Sequence, residues 1–325
     1  FSEYNDIFLL HNSSGKLNGV KESIFMENIK DYSGRWRWNM VNDFRPQSIE
    51  YSGIKCYPTA NYVNYYGMQN GYPINDMTKA DAESGYDPTH PWKNRDPRFY
   101  KTIMFDGVKW KSTGGAGGTA ELFTGGRESE EANEKKGCFT AYMNSKLCPQ
   151  LMNTVDGYKE NNIMILSLMR LADVYLMYAE ATAVGYNGPK GKAATYSLTA
   201  EEALNKIRER AGVAPVLDKF LGSTADFLSE LRRERAVELS FEGFRFIDLR
   251  RWMLLTQYPY TLKTKIEFDR ADPSDYNYDE PEENAIKNLR EVVLLERKYT
   301  DRHYWYPLPK KDVSMYEGFY QNPGW

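Results

Sequence analysis

The run LMRLADVYLMYAEA, residues 168 to 181, constrains the fold more than any other stretch of this chain. Its apolar side chains fall at Leu168, Leu171, Ala172, Tyr175, Leu176 and Ala179. Spacings of three and four residues align them on one face of an α-helix, and that face has to be covered by something. A second helix is predicted from Thr199, whose side chain is placed to bond back to the amide region of Glu202. It presents Ala203, Leu204, Ile207 and Ala211 and stops at Gly212, the residue type that most readily takes the left-handed conformation after a helix. Small alanines on both helices predict close packing as an antiparallel pair. A third helix is predicted from about Thr224 to Phe241, broken by Gly243, and FRFIDLRRW reads as a further short helix.

Residues 1 to about 160 read differently. Gly, Pro, Asn and Asp recur every few positions and helical periodicity is weak. SIFMENI (23 to 29) suits a strand or a brief helix. TGGAGGTAELFTGG (113 to 126) is predicted to be a mobile loop. It is no phosphate-binding loop, since the Gly-Lys-Ser/Thr ending that supplies the lysine and the magnesium-binding hydroxyl is missing. The expected fold class is mainly α, with long irregular loops and a few short strands.

Composition narrows the partners. Net charge is −3, with 42 basic and 45 acidic side chains, so no basic surplus favours nucleic acid. No run approaches the roughly 18 apolar residues of a membrane helix, so the chain itself is expected to be soluble. Aromatic residues make up 14% of the chain, with 25 tyrosines. Flat rings beside amides suit sugar binding, where an aromatic face covers the C–H face of a sugar. On composition alone, packing in a loop-rich protein is the favoured reading of them. Cys56, Cys138 and Cys148 show no CxxC spacing; Cys138 and Cys148 either close a small loop or stay free. The histidines at 11, 90 and 303 form no zinc motif. Asp275, Asn277 and Asp279 imitate the start of a calcium loop, but Glu280 stands where the turn needs Gly and Ile286 where a bidentate Glu belongs. A solvated acidic loop is expected there, and no metal or cofactor.

The densest charge block holds Arg232, Arg233, Glu234, Arg235, Glu238 and Glu242. An acid/base pair is one reading of it. Pairing along a helix, with inward Arg–carboxylate forks fixing the FEGFRF turn, is the better one. Asp96 and Arg98 read as a turn locked by Pro97, and Trp252, Trp305 and Tyr178 as core. Ligand candidates lie earlier. Trp36 and Trp38 alternate, so in an extended segment they face the same way, with Arg35, Arg37, Asn39 and Asn42 as donors. Tyr62, Tyr65 and Tyr66 in NYVNYYG are a second set, and Trp110 beside the glycine-rich loop a third.

Five blocks in order carry a family resemblance. They are PTANYVNYYGMQNGYPIND (58 to 76), NRDPRFYKTIMFDG (94 to 107), LMRLADVYLMYAEA with ALNKIRERAGV (203 to 213), RRERAVELSFEGFRFIDLRRW (232 to 252) and YWYPLPKKDVSMYEGFYQNPGW (304 to 325). Together they resemble the C-terminal part of SusD/RagB-type nutrient-binding proteins. SIFM resembles a further family element whose following loops often help build a glycan platform in relatives. The resemblance implies a tetratricopeptide-like helical pair plus a loop-rich ligand-binding subdomain. It divides one continuous domain into a loop-rich part, 1–160, and a helical scaffold, 161–325. It also implies an N-terminal region and a lipidated Cys that this chain, beginning at Phe1, does not contain. The implied protein is no enzyme. It is a lipid-anchored protein on the outer surface of a Bacteroidetes-type outer membrane, capturing oligosaccharides for a TonB-dependent SusC-like transporter. A peptide-binding RagB-type member is the alternative, and a glycoside hydrolase a remoter one. On this reading the ligand-binding residues are Arg35, Trp36, Trp38, Asn39, Tyr65 and Trp110.

Overall fold

The computed structural model describes residues 4–8, 20–28, 57–112, 115–132, 134, 137–147 and 165–325. Its longer elements, in chain order, are β1 (Ser23–Asn28), β2 (Ile165–Arg170), α1 (Leu171–Gly185), α2 (Ala200–Ala211), α3 (Thr224–Glu238), α4 (Phe244–Arg251), β3 (Leu262–Arg270) and β4 (Ile286–Glu296). β1 pairs antiparallel with β2, and β3 with β4. Between residues 57 and 147 the regular pieces are short helices, such as Ala60–Val63 and Pro97–Thr102, and two-residue strands. The architecture is mainly helical with long irregular loops, as expected.

Helices α1, α2 and α3 share one core. Leu176, Ala179 and Ala183 of α1 meet Ala203, Leu204 and Ile207 of α2 and Phe227 and Leu231 of α3, all fully buried. Burying each large aliphatic contributes about 1.5–3 kcal/mol, and the alanines let the helix axes approach. The ends of α2 follow the sequence. Thr199 accepts from the Glu202 amide while the Glu202 carboxylate accepts from the Thr199 amide, and Gly212 takes the left-handed conformation at φ +74°.

Three details differ from expectation. The first helix starts at Leu171, not Leu168, which lies exposed on β2. Arg170 is extended and its side chain is committed to Glu22, Glu238 and Glu242, so the helix cannot begin before it. α3 ends at Glu238 because Phe241 and Gly243 both adopt positive φ, +60° and +88°. The β3–β4 hairpin, with strands of nine and eleven residues, was not anticipated. The acidic stretch after 269 is its connection. There Asn277 accepts from the amides of Asp279 and Glu280, and Asn284 closes the loop by donating to the Asn277 carbonyl.

A second core sits under the loops. Trp92 stacks on Phe105 at 4.9 Å and Phe105 on Phe99 at 5.3 Å, with Tyr66 and Tyr142 alongside. Val237 of α3 and Ile266, Phe268 and Ile286 of the hairpin complete it. The loop-rich half thus owes part of its core to the helical half.

Cys138 is a buried free thiol that donates to the Tyr142 carbonyl at 3.1 Å, and burial pushes its pKa up. Cys56 and Cys148 lie outside the described residues. Trp305, expected in the core, is 57% exposed. Its neighbour Tyr304 is the anchored residue: its carbonyl accepts from Arg250 and its hydroxyl bonds Thr256. Trp252 is only half-buried, its indole N–H donating to Glu180 at 2.8 Å. Tyr178 packs against the helical core and donates to the Leu198 carbonyl. Among the described residues no helix is long and apolar enough to cross a membrane, and no group of three or more His, Cys, Asp or Glu is placed to hold a metal ion.

Candidate functional site

Glu230, Glu234, Glu238 and Glu242 recur every fourth residue, so α3 and the turn after it line up four carboxylates on one stripe. Alone they would repel one another. Cations from distant segments cover them. Arg98 reaches Glu234, and Glu238 at 2.9 Å; Arg170 reaches Glu242 at 2.7 Å and Glu238; Lys146 reaches Glu242 at 2.7 Å; Arg208 reaches Glu234 at 3.0 Å and Glu230; Arg210 reaches Glu238. Arg98 is itself held by Asp96, which caps the helix that Pro97 opens. Arg235 turns the other way, to Asp173 at 2.8 Å and Asp248 at 2.9 Å. The block therefore pairs mostly between segments; within α3 the pair is Arg233 with Glu230.

Burial works to raise the carboxylate pKa values, but the guanidinium groups outweigh it. Glu234 is held at about 2 by Arg98 and Arg208. Burial opposes the same effect at Glu238, where Arg210, Arg170 and Arg98 bring the pKa well below the usual range. Such groups are ionised, saturated with donors and shut off from solvent, so they have no proton to give a substrate. Their chemistry is structural, as the sequence suggested.

The aromatic candidates separate. Tyr62 donates inward to the Ala236 carbonyl at 2.6 Å and Tyr66 to Ser240 at 2.7 Å, which makes both scaffold. Tyr65 borders the loop core, edge-on to Tyr62 at 5.7 Å. The Arg245 guanidinium lies 4.8 Å from the Tyr65 ring and 5.5 Å from that of Tyr260. Trp110 is half-buried against the same core, with the Lys111 ammonium 4.6 Å from its ring. Among the described residues no ring contact joins Trp110 to Tyr65. Arg35, Trp36, Trp38 and Asn39 lie outside the described residues, as do Arg37 and Asn42.

Two further residues that sequence reasoning missed lie on β3. Lys263 and Lys265 lie two apart on β3, on one face of the strand. Lys265 is surrounded by Glu267 at 2.8 Å, Glu130 at 3.3 Å and Glu131 at 4.0 Å; burial opposes, yet these carboxylates raise its pKa. Lys263 has no carboxylate partner among the described residues. Burial, then Arg297 and Arg245, push it down to about 8. The period-two alternation of LKTKIEFDR could have identified this strand and set the two lysines on one face.

With this geometry in place, the chain can be set beside known proteins. It resembles the crystal structure of a SusD-like protein from Bacteroides fragilis NCTC 9343, with 21% identity and a TM-score of 0.69, over 99% of this chain and 57% of that one. It also resembles a SusD superfamily protein from Parabacteroides distasonis ATCC 8503, with 18% identity and a TM-score of 0.51, over 100% of this chain and 53% of that one. The fold is thus SusD-like, and the chain spans little more than half the length of these structures. The SusD family model matches residues 21–325, and the chain belongs to that family. No curated protein sequence matches it.

Proposed function

We propose that this chain is part of a cell-surface protein that binds oligosaccharides and delivers them to a SusC-like TonB-dependent transporter in the outer membrane. Membership of the SusD family over residues 21–325 carries this reading. The chemistry of the loops supports it: Tyr65 and Trp110 are only half-buried, and Trp36 and Trp38 come with Arg35 and Asn39 as donors. Rings of this kind cover sugar C–H faces while guanidinium and amide groups take hydroxyls. On this reading the protein breaks no bond, and a lipid anchor holds it to the membrane.

Affinity electrophoresis of the complete protein in gels containing different glycans tests the proposal. Retention by at least one glycan is expected, with no new reducing ends after incubation. Retardation by none of a wide panel, or release of reducing ends, would count against it. Replacing Trp36 and Trp38 together by alanine should weaken retention by roughly one to two orders of magnitude, since each aromatic contact contributes about 0.5–1.5 kcal/mol.

A further inference from the structure

Arg245, Lys263 and Arg297 are three cations for which the described residues offer no carboxylate partner. Arg245 belongs to the first turn of α4, which holds no acidic residue, and Gly243 before it supplies no side-chain cap. The positive end of that helix therefore adds to the charge already there. Lys263 is half-buried on β3. Arg297 follows β4, and its amide donates to the Thr261 carbonyl at 2.9 Å. Lys263 lies opposite Leu295 and not opposite an acidic residue; Glu296 is opposite Leu262, on the other face.

Several cations elsewhere in the described residues are paired with carboxylates. Arg235 is neutralised by Asp173 and Asp248, Arg270 by Asp106, and Lys265 by Glu267 and Glu130. Arg245 and Lys263 are half-buried and Arg297 is exposed; the like charges repel, the two half-buried ones also lose hydration, and a bound anion relieves both costs. The surroundings suit a sugar as well. Tyr65 and Tyr260 both flank the Arg245 guanidinium, whose planar fork matches two oxygens of one carboxylate or sulfate.

We propose that Arg245, Lys263 and Arg297, framed by the rings of Tyr65 and Tyr260, form a subsite for an anionic substituent on a saccharide, either a uronic acid carboxylate or a sulfate ester. This rests on the glycan-binding reading and narrows it to acidic glycans. Lys263 is mostly protonated at neutral pH and loses its proton above about 8, so affinity for the acidic saccharide should fall as pH rises through that value. Arg245 and Arg297 stay charged over that range, and Tyr65, whose hydroxyl is raised mainly by burial, stays neutral.

Isothermal titration of the complete protein tests the proposal. The probes are oligogalacturonates, a sulfated oligosaccharide, a neutral oligosaccharide of similar length and an acidic peptide. The proteins are the wild type, the double variant Arg245→Gln with Lys263→Met, and Arg297→Gln. Arg297 is exposed and makes no ion pair among the described residues, so its variant keeps the test open if the double variant is unstable. The wild type should prefer one acidic probe over the neutral one by about tenfold or more, as expected for hydrogen bonds to charged groups. Which acidic probe wins distinguishes carboxylate from sulfate. The double variant should lose that preference, and Arg297→Gln should lower it several-fold. Equal affinity for acidic and neutral saccharides would overturn the subsite and leave the glycan reading standing. Binding of no saccharide would overturn the glycan reading itself. Selective binding of an acidic peptide, lost in the variants, would overturn the saccharide assignment.

Discussion

Glu238 shows how a residue read as charged in sequence becomes part of a scaffold. Its carboxylate is fully buried and meets Arg98, Arg170 and Arg210. Glu238→Ala removes the acceptor and leaves three guanidinium groups short of a partner. A loss of about 3–5 kcal/mol is expected in denaturant unfolding, as for other broken buried pairs. A variant as stable as the wild type would contradict the role. The same cluster sets a pH dependence. Glu234 titrates near 2 in the fold against an ordinary 4.5, so its contribution is full above 4.5 and disappears as pH falls toward 2. Unfolding free energy should therefore decline across that acidic window, and Glu234→Gln should flatten the slope. The structural role of this block was legible from its spacing. Its partners were not, because Arg98 lies 136 residues from Glu234 and no local pattern encodes such a pairing.

At the scale of elements, local chemistry was legible where it is self-contained. Thr199 with Glu202 and Gly212 marked both ends of α2, because each signal acts within one turn. The start of α1 was misread because Leu168 fits the helical spacing, while the long-range engagement of Arg170 keeps the preceding segment extended. Turns add a testable contrast. Gly107 has φ +85°, and a Cβ there would lie 2.4 Å from the Tyr276 hydroxyl; Gly85 has φ +73° with nothing within 4 Å. Gly85→Ala should cost only the left-handed strain, about 1–2 kcal/mol. Gly107→Ala should cost that plus about 1–3 kcal/mol for displacing the ring. Thermal melts of the two variants give the comparison, and equal shifts would contradict it.

Across the whole molecule, the loop core around Trp92, Phe99 and Phe105 is closed by Val237 from α3 and by the hairpin residues Ile266, Phe268 and Ile286. The irregular backbone of the loops is thereby packed against the helical side. The family was legible from five ordered blocks because those blocks hold the shared scaffold. The ligand was less legible: within RRERAVELSFEGFRFIDLRRW the charged residues Glu234, Arg235 and Glu238 are buried and say nothing of what is bound. Tyr65 was singled out from its aromatic neighbourhood, whereas the approach of Arg245 to its ring depends on how α4 packs, which no local pattern encodes.

The central claim separates scaffold from binding surface, and one measurement tests it directly. It is the binding isotherm of the glycan most strongly retained by the complete protein, recorded for the wild type, Glu238→Ala and the Trp36→Ala, Trp38→Ala double variant. The account predicts an unchanged Kd per folded molecule in Glu238→Ala and a Kd raised by roughly ten- to a hundredfold in the double variant. A stable, folded Glu238→Ala that no longer binds, beside a double variant that binds as the wild type does, would contradict it.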